Sequence, residues 1–186
     1  DLTEEKQDEY LALAEAELER LTTTVQRMLD FYRPGKVKPK KVNLPEVFDH
    51  VLGLMATQLQ KREIIVKRTL PKSLPPVLAV SAQLQQVFLN LILNAYDAMS
   101  GGGLLEISAR KRKENVEITF QDNGTGISDE DQRNIFEPFI STKDGGTGLG
   151  LTVSYNIIAA LGGELAFISN GQAGACFQVT LPIGGE

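Results

Sequence analysis

The sequence predicts an α+β fold: one mixed β-sheet with helices packed on one face, preceded by a long helix with a hydrophobic seam of its own. Three observations carry that prediction. Leu105, Ile107 and Ala109 alternate with polar residues, and so do Val116, Ile118 and Phe120, which is the period of half-buried strands. Gln83, Gln86, Asn90, Asn94 and Asp97 fall on one face of an otherwise apolar helix, because about 3.6 residues complete a turn. Leu11, Ala14, Leu18, Leu21, Val25, Met28 and Tyr32 recur at alternating steps of three and four, a heptad seam.

Taken in order, the seam helix asks for a partner and is stopped by Pro34-Gly35. The Lys/Pro-rich stretch to Lys41 reads as a linker, and a second helix starts at Asn43 with Pro45 in its first turn. The boundary is therefore placed near residue 42, dividing the chain into 1–42 and 43–186. Residues 63–70 have strand character, a proline-rich loop at 71–76 leads to the polar-striped helix, and Gly101-Gly102-Gly103 follows that helix. A hairpin comes next, turning at 111–115. A short helix near 129–136, a glycine-rich loop, a helix over about 149–161 and strands at 163–169 and 175–181 complete the sheet.

At 186 residues, 42% of them hydrophobic, the chain suits one full domain with a packed core plus an appendage. The net charge of −5 argues against general nucleic-acid binding. The basic runs Arg110-Lys111-Arg112-Lys113 and 36–41 read as solvated turn and linker. The single cysteine, Cys176, has no internal partner for a disulfide, fits a reducing compartment, and reads as a small core residue. No apolar run approaches the roughly 20 residues that span a bilayer, and the acidic N-terminus lacks signal-peptide character. The expectation is a soluble cytoplasmic piece of a longer protein, with no membrane contact of its own.

Three motifs carry chemistry. Asn is a poor helix former, so Asn90 and Asn94, one turn apart in a buried helix, point to a ligand that needs amides; the competing reading is an amide pair satisfied by neighbouring backbone. Asp122 ends a strand and enters Asp122-Asn123-Gly124-Thr125-Gly126, where a carboxylate can accept a hydrogen bond from the exocyclic amino group of adenine. Guanine offers a carbonyl there, and sites of this kind can discriminate by roughly 10⁴. Gly124 and Gly126 let backbone approach a flat ring. The same pattern suits a type I′ turn or a cation loop, although Asp122, Asp129, Glu130 and Asp131 lack the alternating spacing of a calcium loop. Finally, Gly145-Gly146-Thr147-Gly148-Leu149-Gly150 runs into a helix, where free N–H groups and the positive dipole end suit a polyphosphate; a mobile hinge loop is the alternative. It is neither a Walker loop nor a Rossmann fingerprint. Lys143 can reach a terminal phosphate or be a plain loop lysine, and Asn94 offers an amide oxygen to Mg²⁺. Together the three motifs read as an adenine nucleotide site.

These residues resemble the catalytic ATP-binding domain of sensor histidine kinases, in the wider class shared with gyrase-type and heat-shock-chaperone ATPases. The match covers 43–186. Residues 86–95 look like the N box, Asp122 to Gly126 the G1 box, Phe136-Glu137-Pro138-Phe139 the F box and residues 146–151 the G2 box. The run Phe139-Ile140-Ser141-Thr142-Lys143 is similar to the short-lid branch found in nitrogen-sensing kinases. The resemblance implies a two-layer α/β sandwich that holds ATP between the N-box helix and a lid of about 137–148. It implies an ATP-binding set of Asn90, Asn94, Asp97, Asp122, Gly124, Gly126, Ile127, Phe139, Thr142, Lys143, Gly146, Thr147, Gly148, Leu149, Gly150 and Leu151. Asp122 would take the adenine amino group, Asn94 the Mg²⁺ and Asn90 a phosphate, with Asn90 and Lys143 the catalytic pair. It further implies homodimerisation through the N-terminal helix, as the second helix of a dimerisation hairpin, and partnership with a response regulator receiver domain.

Hydrolysing relatives carry a glutamate at the position of Asn90 to activate water. An amide takes no proton, so transfer to a histidine is favoured over hydrolysis. A hydrolytic ATPase clamp and a non-catalytic nucleotide-binding module remain the alternatives. Two departures stand out. The phosphoacceptor histidine motif is absent, since His50 lies downstream and reads as an ordinary helix residue; an upstream segment is expected to supply it. Ala175 also replaces a threonine that many relatives place near the base.

Overall fold

The computed structural model describes residues 38–140, 147–168 and 173–184. The heptad seam lies outside them. Lys40–Val42 (β1) pairs antiparallel with Val77–Ala79 (β3), a small two-stranded sheet that takes in the end of the expected linker and follows the loop expected at 71–76. Three residues are too few to show a period of two. Burial explains the pairing, since Val42, Val77 and Ala79 are all in the core. Val77 also bridges to Ile183, and the Gly184 N–H donates to the Pro76 carbonyl at 3.0 Å.

Leu44–Lys61 (α1) starts at the N-cap Asn43 with Pro45 in its first turn, as the sequence predicts. Leu44, Val47, Phe48, Val51, Met55 and Leu59 recur every three or four residues and are all buried. His50 is exposed on the same helix. Beyond the C-cap Arg62 the chain turns through Glu63 at φ 55°, a left-handed backbone that ends the helix, and continues into Ile64–Thr69 (β2). The polar-striped segment forms Ser81–Ala98 (α2), with Leu84, Val87, Phe88, Leu91, Ile92 and Ala95 buried.

The main sheet has the order β2-β4-β5-β7-β6, where β4 is Gly103–Arg112, β5 Asn115–Asp122, β6 Glu164–Phe167 and β7 Cys176–Pro182. Only β2 and β4 run parallel; the other pairs are antiparallel, so the sheet is mixed. Alternation puts Leu105, Ile107, Val116, Ile118, Phe120, Val179 and Leu181 into one buried layer. On that face α1 packs on β2, α2 on β5, and Gly150–Ala160 (α3) on β6 and β7. Phe48, Phe88 and Phe120 join these layers, with ring centroids 4.7 Å (Phe48–Phe88), 5.3 Å (Phe88–Phe120) and 6.0 Å (Phe48–Phe120) apart.

The hairpin turn is tighter than expected. Strand β4 runs to Arg112 and pairs it with Asn115, leaving Lys113 at φ 54° and Glu114 as the loop. Arg110 and Arg112 therefore belong to a strand, where both reach the buried carboxylate of Glu117 at 2.7 Å. The helix expected near 129–136 is only a 3₁₀ turn over Asp131–Arg133, because its few apolar residues give no periodic face to bury. Among the described residues no helix is long and apolar enough to cross a membrane.

Candidate nucleotide site

The site is organised around α2. Its last turn carries Asn94, half-buried, and Asp97, exposed. The Ala98 carbonyl closes the helix by accepting the Thr125 N–H at 3.1 Å. A Cβ on Gly124 would lie 2.5 Å from that same carbonyl oxygen, so glycine is required for the 122–126 turn to rest on the helix end. Arg62 supports the end from behind. Its guanidinium lies 3.8 Å from the centroid of the Tyr96 ring and donates to the Tyr96 carbonyl at 2.9 Å.

Asp122 is the last residue of β5 and only 4% exposed. Its Oδ1 accepts the backbone N–H of Gly124 at 2.9 Å and of Ala175 at 3.1 Å, while its own N–H donates to the Ala175 carbonyl at 3.0 Å. Carboxylates held by peptide N–H groups are fixed in direction without long side chains. Gly174, at φ 88°, makes this possible: a Cβ there would lie 2.0 Å from the Asp122 carbonyl oxygen. Gly126 has φ 74°, and Ile127 is partly buried beside the core. Cys176 follows on β7 and is buried; burial and then the charge of Asp122 push its thiol above the usual range.

At the other side of α2, Asn90 meets the start of α3. Its Nδ2 donates to the Gly150 carbonyl and to Ser154 Oγ, each at 3.2 Å. The backbone-satisfied reading of this amide thus holds for its nitrogen, and the partner is distant in sequence. Leu149 is buried, and Thr147, Gly148, Gly150 and Leu151 are half-buried around the α3 N-terminus. Gly148 has φ 65°, and a Cβ there would lie 2.5 Å from the carbonyl carbon of Phe139, itself at φ 66° and 65% exposed. Phe136 packs on Tyr155 of α3, centroids 5.4 Å apart. Thr142, Lys143 and Gly146 lie outside the described residues.

The segments therefore meet around α2: 122–126 rests on its end at Ala98, Asn90 meets α3 at Gly150, and Gly148 lies against Phe139. Sequence reasoning missed Ser154, Arg62 and the roles of Gly174 and the Ala175 backbone. A serine within the apolar run of α3, four residues after Gly150, was the one available signal. As for a metal, among the described residues no group of three or more His, Cys, Asp and Glu side chains comes together. The oxygen donors on this part of α2 are the amides of Asn90 and Asn94 and the carboxylate of Asp97, a set that fits Mg²⁺ when phosphate oxygens and water complete its shell.

A mixed sheet covered on one face by helices, with glycine-bearing turns resting against α2 at its end and at Asn90, is the arrangement of a class of nucleotide-binding domain. The chain belongs to the family of histidine kinase-, DNA gyrase B- and HSP90-like ATPases, whose family model matches residues 79–185. It is 36% identical over 168 residues to the sensor histidine kinase ZraS of Salmonella typhimurium, covering 90% of this chain and 36% of that protein. The chain thus spans little more than a third of the length of such relatives. Among solved structures, full-length ShkA in complex with AMPPNP matches with a TM-score of 0.82 and 27% identity, over 100% of this chain and 40% of that one. Histidine kinase ThkA in complex with the response regulator TrrA matches with a TM-score of 0.79 and 26% identity, over 99% of this chain and 53% of that one.

Proposed function

We propose that this chain is the ATP-binding catalytic core of a sensor histidine kinase, which transfers the γ-phosphoryl group of ATP to a histidine supplied by a dimerisation domain, for relay to a response regulator. The observation that carries the reading is Asp122. A buried carboxylate, aimed by two peptide N–H groups and seated where the 122–126 turn meets α2, is a built acceptor for an exocyclic amino group. The ZraS and ShkA matches support the kinase class, and the ThkA–TrrA match supports a receiver-domain partner.

In this reading Asp122 binds the adenine amino group, Gly124, Gly126 and Ile127 bound the base, and the α3 N-terminus with Thr147, Gly148 and Leu149 faces the phosphates. Asn94 would hold Mg²⁺, which when bound neutralises charge on the β- and γ-phosphate oxygens. Lys143, Thr142, Gly146 and Phe139 belong to the lid that keeps water out. No base is needed at Asn90, because the attacking imidazole already has a lone pair, and alignment with charge stabilisation does the rest. The N-terminal helix would pair two copies, and the domain would work in the cytoplasm. Asn90 disfavours the hydrolytic clamp, since an amide cannot take the proton of water.

The test uses γ-labelled ATP and a dimerisation domain carrying the histidine. Acid-labile, base-stable label on that domain is the expected result. Phosphate release outpacing any such labelling would instead favour the clamp, and nucleotide binding indifferent to Mg²⁺ would favour a non-catalytic module.

A further inference from the structure

Strand β5 ends at Asp122, and the side chain of the next residue takes over a hydrogen bond that its backbone would have made. Asp122 lies opposite Leu105 of β4, and its N–H points the other way, to the Ala175 carbonyl beside β7. Successive residues of an antiparallel strand send their N–H and C=O groups to opposite neighbours, so Gln121 and Asn123 are the residues whose main chain faces β4. One more step of the ladder would set Asn123 opposite Leu104, with its carbonyl accepting the Leu104 N–H. That N–H is bonded instead by the Asn123 side chain, whose Oδ1 accepts it at 2.8 Å. A side-chain amide offers the same acceptor as a peptide carbonyl, so the β4 donor stays satisfied while the backbone turns away. Gly103 makes the room, since a Cβ there would lie 2.5 Å from Asn123 Oδ1. The turn so released is the one in which the Gly124 N–H reaches Asp122 Oδ1 and the Thr125 N–H reaches the Ala98 carbonyl.

We propose that Asn123 is a positioning residue for base recognition: by standing in for its own main-chain carbonyl at Leu104, it fixes where β5 ends and so keeps the Gly124 N–H on Asp122. The inference rests on the nucleotide-binding reading above. Without that side chain the backbone of residue 123 competes for Leu104, and pairing there lengthens β5 by one residue. A longer strand carries Gly124 off Asp122. The carboxylate then keeps its charge and its Ala175 bond but loses one of the two donors that aim it. Asn123 therefore acts on the choice of base more than on the binding of a triphosphate.

The test titrates ATP and inosine triphosphate, which carries a carbonyl where adenine has its amino group, against the wild-type chain, Asn123→Ala and Asn123→Asp. Asn123→Ala should lose about tenfold of the preference for ATP, the size of one net hydrogen bond. An aspartate side chain has the same shape and its carboxylate accepts the same N–H, so Asn123→Asp should keep the wild-type preference to within about twofold. By NMR, the Leu104 amide of the wild type should exchange slowly with solvent, and the Gly124 amide should exchange at least about tenfold faster in Asn123→Ala. Equal losses for the two triphosphates in Asn123→Ala overturn the proposal and mark a merely structural role. So does an Asn123→Asp variant as unselective as Asn123→Ala, an unchanged Gly124 exchange rate in Asn123→Ala, or rapid exchange of the wild-type Leu104 amide. If Asn123→Ala fails to fold, the selectivity of Asn123→Asp and the wild-type Leu104 exchange decide. Binding of neither triphosphate by the wild type would sink the nucleotide reading, and the exchange rates would still decide whether Asn123 shapes the turn.

Discussion

Strand β5 carries two buried carboxylates five residues apart, and they are held by opposite means. Glu117, 6% exposed, lies on the sheet face away from the helices and is met by two guanidinium groups, Arg112 Nη1 and Arg110 Nη2, each at 2.7 Å. The Arg112 hydrogen bond, against the opposing effect of burial and with help from Arg110, keeps its carboxyl below the usual range. Asp122, 4% exposed, is met by the peptide N–H groups of Gly124 and Ala175. Charge neutralises the first; backbone aims the second. Arginine side chains two-thirds exposed deliver modest, salt-sensitive stability. Peptide donors have no rotamers to lose, so they hold a direction, which is what recognition of a single amino group requires.

Four experiments can break or sharpen that contrast. The largest effect is expected at Gly174→Ala, where a left-handed backbone and a Cβ driven into the Asp122 carbonyl should cost about 3 kcal/mol of stability, read as a lowered denaturant midpoint. An unchanged midpoint would show that the Asp122 end is pliant. Asp122→Asn comes next. Its oxygen can still accept the two peptide N–H groups, but the amide presents a donor to a donor, so ATP affinity should fall about 100-fold with the melting temperature nearly unchanged. Equal losses of affinity and stability would make the two carboxylates alike. Glu117→Gln should cost only about 1 kcal/mol, diminished in 1 M salt, and leave ATP affinity intact. The smallest effect is in pH. Because the folded carboxyl of Glu117 is held low, its contribution is present above the ordinary value near 4.5 and fades as pH falls through the folded value. The stability gap between wild type and Glu117→Gln should close in that acid window; a gap that widens there would reverse the assignment.

Long periodic elements were legible in the chain. The alternation in β4, β5 and β7 and the apolar faces of α1 and α2 each repeat often enough to declare themselves, and the order of the four boxes set where a nucleotide site was expected. The three-residue strands β1 and β3 were not, because pairing partners far apart in sequence, rather than local pattern, make them strands. Arg110 and Arg112 looked like a solvated turn for the same reason: their partner Glu117 sits directly across a register that only the folded hairpin supplies. At the site, the types of residue were readable but not their bonding. Asn90 was visible as an odd amide in an apolar helix, whereas the contacts of its nitrogen, Gly150 and Ser154, lie 60 and 64 residues away. The backbone clamp on Asp122 left no trace in side-chain chemistry beyond the glycines that permit it.

The only thiol of the chain, Cys176, lies buried at the start of β7, next to the Ala175 that clamps Asp122, and is reluctant to ionise. A colourless alkylating or disulfide reagent can reach it only when β7 lifts from its neighbours, so the labelling rate becomes a clock for breathing at this edge of the domain. Under the proposed function, nucleotide bound at Asp122 should slow the clock as its occupancy rises, giving a dye-free titration that needs neither a second protein nor turnover.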